Sequence, residues 1–238
     1  MSKIIKLSRS TVERYISCPR CCYLEKNHQI KPPSLPFSLN IAVDNLCKNE
    51  FDFYRKNKKP HPLFKLHNID AIPFDHKDID IWRNNYKGLR YKSLKYNYDF
   101  GGAIDEVWQK NNGELIIADF KATSKNIFDW EDIFAKYDYP KAYQRQLEMY
   151  QWLFKQNGFS VSKEAYIIYY NGQKNRKFFE NSLQFDVHVI KLNCSTDWVE
   201  KKIIETVEFL RSNNFPKPNS SCQFCNYIKQ RWLLAQNL

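Results

Sequence analysis

Gly101-Gly-Ala-Ile-Asp-Glu-Val-Trp-Gln-Lys-Asn-Asn-Gly-Glu-Leu-Ile-Ile-Ala-Asp-Phe-Lys121 holds two β-rich runs, Ala103 to Gln109 and Glu114 to Lys121, around Asn111-Asn112-Gly113. A three-residue loop with glycine at the left-handed position predicts a hairpin. If Lys110 faces Glu114, Asp105 lies opposite Asp119 with Cβ atoms roughly 5 Å apart. Lys121 shares the face of Asp119, Leu115 and Ile117, because strand side chains alternate. Two nearby carboxylates repel unless a proton or cation sits between them, and a hard divalent ion with oxygen ligands meets that need. A surface hairpin with a cross-strand ion pair fits the same spacing.

With 238 residues, 43% of them hydrophobic, the chain has enough apolar material for a proper core, and we read it as a single domain over 1–238. Lysine and arginine exceed acids by 37 to 26, a net charge of +11. That balance favours a polyanionic partner, nucleic acid first. No apolar run approaches the ~20 residues of a membrane span, and Met1 to Ser10 lacks a signal-peptide apolar stretch. The expectation is a cytoplasmic protein without a membrane partner, its seven cysteines reduced.

Ser10-Thr-Val-Glu13 has the form of a capping box, opening a short helix with Val12, Tyr15 and Ile16 inward and Pro19 as its stop. Asn27 to Phe37 reads as a loop. A helix from about Ser38 to Asn57 follows, its apolar stripe Leu39, Val43, Leu46 and Phe53, with Glu50 inside that stripe. Residues 58–87, with prolines at 60, 62 and 73, show no period and read as an insertion or lid. Gly88 to Tyr98 reads as a strand leading into the hairpin, which makes an antiparallel meander. After a long loop, Ala122 to Tyr139, a helix runs from Pro140 to Asn157 with Gly158 as its stop. Lys163–Asn171 and Lys177–Asn193 form further strands joined around Asn171-Gly172, before helices from Ser195 to Asn213 and through Trp232 to Leu238. The order is α/β, a sheet flanked by helices.

Gly102-Ala-Ile-Asp105, Asp119-Phe-Lys121 and Gln146-Leu-Glu-Met-Tyr150 together resemble the motifs of the PD-(D/E)XK nuclease superfamily, in particular its RecB-like branch, which includes the iron-sulfur exonucleases of CRISPR adaptation. The resemblance runs from about residue 8 to 230. It implies a restriction-endonuclease-like core with a central mixed sheet. It also implies that Asp105, Asp119 and the Phe120 main-chain carbonyl bind magnesium or manganese. Lys121 would orient or help deprotonate water and stabilise charge growing on phosphate. Gln146 and Tyr150, one helical turn apart, would contact phosphate or Lys121. The branch often carries Gly-x-x-x-His on its early helix. Here Asn40 and Asp44 stand at those positions, a departure from the pattern. Glu50 competes with Asp44, since a carboxylate in an apolar stripe needs a partner. The two are roughly 240° apart around a helix, so only one faces the site.

Cys18-x-x-Cys21 and Cys222-x-x-Cys225 are two ligand pairs at opposite ends of the sequence. Four thiolates suit tetrahedral zinc or an iron-sulfur cluster and would clasp the termini together. The resembling exonucleases use one N-terminal and three C-terminal cysteines for a [4Fe-4S] cluster, and that resemblance favours the cluster over zinc. No third cysteine follows Cys225 in this chain, so Cys22 is an alternative ligand. Cys47 and Cys194 read as core.

The expected function is metal-dependent hydrolysis of DNA phosphodiester bonds, of an exonuclease type on single-stranded or free ends, in repair, recombination or processing, with a protein partner in a repair complex. The alternative is a cleavage-deficient nuclease fold that binds nucleic acid for a partner protein.

Overall fold

The computed structural model describes residues 4–34, 37–212 and 214–236. β1 (Ile5–Ser8), α1 (Arg9–Ser17) and α2 (Pro19–His28) come first. α3 (Ser38–Lys56), α4 (Pro62–Leu66), β2 (Ala71–Pro73) and α5 (Ile79–Arg83) follow. Next are β3 (Leu89–Ser93), β4 (Tyr98–Gly102), β5 (Glu106–Lys110), β6 (Leu115–Thr123), α6 (Trp130–Lys136) and α7 (Tyr139–Gln156). β7 (Val161–Gly172), β8 (Phe185–Asn193), α8 (Val199–Arg211) and α9 (Gln223–Ala235) are the last elements. Leu35 and Pro36 of the expected early loop, and the expected helix ends at Asn213 and Leu238, lie outside the described residues. Among the described residues no helix is long and apolar enough to cross a membrane.

The chain divides into two compact units. One comprises Met1–Pro36, Lys92–Phe100 and Asp197–Leu238. In it α1 is capped at Ser8, whose hydroxyl accepts from Thr11 N, so the cap lies two residues before the expected Ser10. Pro19 does end α1, and it also opens α2 at a position where a missing N–H costs nothing. Tyr15 and Tyr23 pack on Phe209 of α8, with ring centroids 4.8 and 6.2 Å away.

The other unit, Phe37–Tyr91 with Gly101–Thr196, holds a five-stranded mixed sheet of order β2-β5-β6-β7-β8. The β5–β6 hairpin has the register that Lys110 facing Glu114 sets, with Glu106 opposite Ala118 and Trp108 opposite Ile116. β6 and β7 are parallel, so the chain must cross over between them, and α6 and α7 form that crossover. Alternation along β6 divides the core. Ile116, Ala118 and Phe120 face Cys47 and Phe51 of α3, with Trp108 and Phe64 filling the gap. Asp119 faces the other way, toward α7.

Four expectations change here. Residues 88–98 do not extend the hairpin into a meander: Asn97 turns left-handed at φ 53°, splitting the run into β3 and β4, which join β1 in a separate three-stranded sheet. β2, from the unpatterned segment 58–87, takes the place beside β5. On α3 the buried residues are Cys47, Phe51 and Arg55, while Leu39, Leu46 and Phe53 are exposed. The inner face includes an arginine, and this hid it from an apolar pattern. Finally, β7 and β8 are joined by residues 173–184 rather than by a tight turn at Asn171-Gly172.

Arg55 is buried because Glu106 is. The Glu106 carboxylate, fully inaccessible, pairs with the guanidiniums of Arg55 and Arg83. Arg83 also bonds Asp52 at 2.8 Å and donates to the Asp105 carbonyl at 3.0 Å, while Arg55 donates to the Phe74 carbonyl at 2.8 Å. The network ties α3 and α5 to the start of β5. Glu106→Gln would leave two buried cations short of a counter-charge, so urea denaturation should show a loss of about 3–5 kcal/mol. A loss below about 1 kcal/mol would mean that water already serves these guanidiniums.

Candidate active site and cysteine centre

Strand alternation brings Asp119 and Lys121 to one face of β6, and the hairpin register brings Asp105 alongside. β5 begins only at Glu106, later than expected, because the Asp105 side chain leaves the ladder: its Oδ2 accepts from Phe120 N at 3.2 Å. The Asp105 and Asp119 carboxyl groups lie close enough for each to perturb the ionisation of the other. Lys121 Nζ pairs with Asp119 Oδ2, donates to the Phe120 carbonyl at 3.3 Å, and lies 4.8 Å above the Tyr143 ring.

α7 supplies Gln146, whose Nε2 donates to Asp119 Oδ1 at 2.7 Å and to the Tyr150 hydroxyl at 3.4 Å. Gln146 therefore holds the carboxylate rather than the lysine, and Tyr150, almost fully buried, stands behind Gln146. α3 contributes Asp44. Lys48, one turn on, donates to Asp44 Oδ2 at 2.7 Å and pairs with Asp105 Oδ1 at 3.1 Å. Glu50 is on another side of the helix, exposed and 3.1 Å from the His61 ring.

The electrostatics follow from burial. At Asp119 burial disfavours the charged form and the Asp105 carboxylate adds to this, raising the group to about 7 despite Lys121. At Asp105 burial acts in the same sense, but the Lys48 and Lys121 ammoniums outweigh it and hold the carboxyl below its ordinary range. Burial and Asp105 raise Asp44. Both lysines are held above the ordinary lysine value, because the carboxylates overcome the desolvation of the ammoniums. Sequence reasoning passed over Lys48 and Tyr143. The signals were present as an Asp–Lys pair at i,i+4 and an aromatic one turn before Gln146.

The other chemistry lies wholly in the first unit. Cys18 and Cys222 are the N-caps of α2 and α9, and Cys21 and Cys225 occupy the first turns of those helices. The same local structure is thus built twice. The four Sγ atoms lie within 4.8 Å of one another, with 3.8 Å from Cys18 to Cys225 and 3.6 Å from Cys21 to both Cys222 and Cys225. A tetrahedron of Zn–S bonds of about 2.3 Å has edges of about 3.8 Å. Burial disfavours the Cys18 thiolate, yet hydrogen bonds from the Asn219 and Cys21 backbone bring the group down to about 7. Cys22 is turned away, its Sγ 3.7 Å from the Thr11 carbonyl, and burial pushes it up to about 12. Cys47 and Cys194 are buried elsewhere.

Among solved structures, a protein named SSO0001 is 14% identical, with a TM-score of 0.45, over 96% of this chain and 86% of its own. A candidate exonuclease from Eubacterium rectale is 14% identical, with a TM-score of 0.43, over 92% of this chain and 86% of its own. No curated protein matches the chain. A sequence model of the PD-(D/E)XK nuclease superfamily matches residues 43–230, a span that includes Asp44, Asp105, Asp119, Lys121 and Gln146, and the chain belongs to that superfamily.

Proposed function

We propose that the chain is a divalent-metal-dependent deoxyribonuclease that hydrolyses phosphodiester bonds at free or single-stranded ends. The observation that carries the reading is the meeting of Asp105, Asp119 and Lys121, with Gln146 bonded to Asp119, in one cluster. The preference for DNA, the exonuclease type and a role in repair, recombination or processing rest on the resemblance of the three motifs to the RecB-like branch.

The donors suit a hard cation. Asp44, Asp105 and Asp119 would offer it carboxylate oxygens, and the Phe120 carbonyl would add a neutral one. The Lys48 ammonium between Asp44 and Asp105 marks a place where positive charge is stable. Held by these groups, magnesium or manganese would supply Lewis acidity toward phosphate. The chain's own groups do the rest. Lys121 offers a fixed ammonium to charge developing on phosphate, held in place by its pairing with Asp119 and by the Tyr143 ring beneath it. Gln146 fixes the Asp119 carboxylate, and Tyr150 fixes Gln146.

The four cysteines act as a structural metal centre joining sequence-distant segments. The resemblance favours a [4Fe-4S] cluster, in which each thiolate binds a different iron. Three of the six sulfur separations are 3.6 to 3.8 Å and none exceeds 4.8 Å, which supports one tetrahedral ion, and zinc is our reading.

Wild-type protein given labelled single-stranded DNA with magnesium or manganese should cut it, and Lys121→Ala and Asp119→Ala should each lower the rate at least about 100-fold. Wild type that binds DNA but never cuts would leave the nucleic-acid-binding module as the function. Variants that cut as fast as wild type would displace the site. Metal analysis of anaerobically purified protein should find one zinc per chain in a colourless solution, lost in Cys222→Ser together with thermal stability. A brown protein with broad visible absorption would establish the cluster instead.

A further inference from the structure

Beyond the carboxyl ends of β6 and β7 the two chains remain laced together. Asn171, directly across the ladder from Thr123, is 5% exposed. Its side chain accepts from Lys125 N at 2.7 Å and donates to Lys125 O at 3.1 Å. Ser124 Oγ donates to the Gly172 carbonyl at 2.9 Å, and Lys174 Nζ to the Ser124 carbonyl at 3.1 Å. A buried amide bonded at both ends to one backbone residue makes a rigid floor, unusual for loops after strands.

Above this floor is a cleft of about 270 Å³ lined by Lys125, Lys174 and Arg176, with Asn126, Asn175 and a single acid, Asp186. Asp186 is engaged by Gln173 at 2.7 Å. Lys125 and Lys174 have no carboxylate partner among the described residues, and Arg176 has only a loose 3.7 Å pair with exposed Glu180. The Lys125 ammonium is held 5.4 Å above the Tyr137 ring and 5.9 Å from that of Tyr139. Three cations facing one acid in a concave site favour an anion. The volume falls below the roughly 300 Å³ at which enclosed small-molecule sites begin, so it suits a short length of a passing polymer. Lys125 follows Lys121 by four residues, two of them past the end of β6, so at most roughly 13 Å of extended chain separates them.

We infer that this cleft is a phosphate-binding subsite that holds the sugar-phosphate backbone of the nucleic-acid strand a few nucleotides from the bond at Asp119 and Lys121. The inference rests on the nuclease reading above. The subsite contributes affinity and placement, through lysine and arginine contacts to phosphate that carry no base information.

The test is fluorescence anisotropy of a labelled single-stranded DNA oligonucleotide with calcium in place of magnesium, over a range of salt. It compares wild type, the triple variant Lys125→Gln, Lys174→Gln, Arg176→Gln, and a charge-matched control, Lys56→Gln, Lys58→Gln, Lys59→Gln, all checked for unchanged thermal melting. The triple variant should bind at least about tenfold more weakly, with its slope of log affinity against log salt reduced by about 2, since each phosphate contact on a single strand contributes about 0.7. Hydrolysis of bis-p-nitrophenyl phosphate, too small to reach the cleft, should be unchanged. An unaltered slope, or an equal fall in the control, overturns the subsite even if the protein cuts DNA. Loss confined to the triple variant supports it even in a protein that never cuts, which separates this inference from the catalytic one.

Discussion

Two carboxylates side by side, one on β6 and one just ahead of β5, cannot both be charged away from water unless cations are at hand, and the larger unit is arranged around that constraint. Asp105 and Asp119 are brought together by the hairpin register, and the charge that this concentrates is answered from three elements. Lys121 answers from the same strand, Lys48 from α3 and the Gln146 amide from α7. Each helix is held in turn by its own burial: α3 by Phe51 against Trp108 and Phe120, and α7 by Gln151, which donates to the Ser162 and Glu164 carbonyls. The mixed sheet gives each helix a separate face, so one strand can present a core residue to α3 and a carboxylate to α7 in successive positions.

The Glu106 network extends the same logic one residue away. Asp105 turns out of the ladder while Glu106 points into the protein, and Arg83 bridges them by pairing with Glu106 and donating to the Asp105 carbonyl. A buried ion pair of this kind contributes little net stability. Its use here is positional, since it fixes the backbone from which a site carboxylate projects. The cysteine centre shows a different economy. Two Cys-x-x-Cys segments, each an N-cap and first turn, need only helix starts to aim their sulfurs, and backbone hydrogen bonds there favour the Cys18 thiolate.

Much of this was legible because it depends on short-range rules. The hairpin register followed from loop length and glycine placement, and with it the facing of Asp105 and Asp119. The span of α7 followed from Pro140 and Gly158, and α3 was found to within a residue. Where reading failed, a long-range partner had overruled the local pattern. The buried face of α3 contains Arg55, which belongs inside only because Glu106 is there. Residues 58–87 look patternless, yet they supply Phe64 and Ala71 to the core, since a short edge strand and two one-turn helices leave no period to detect.

The chain by itself determined which candidate groups stand near one another: an acid pair and a lysine at strand spacing, an amide and a phenol one helical turn apart, and four cysteines in two pairs. Those choices are local, set by covalent spacing and by the periods of strand and helix. Only the tertiary structure decided how they combine. It selected Asp44 over Glu50 as the acid beside Asp105, recruited Lys48, gave Gln146 to Asp119, and turned Cys22 away from the other four thiols' neighbourhood toward Thr11. These outcomes depend on which face of each helix meets the sheet. That is settled by the burial of distant side chains and not by any spacing along the sequence.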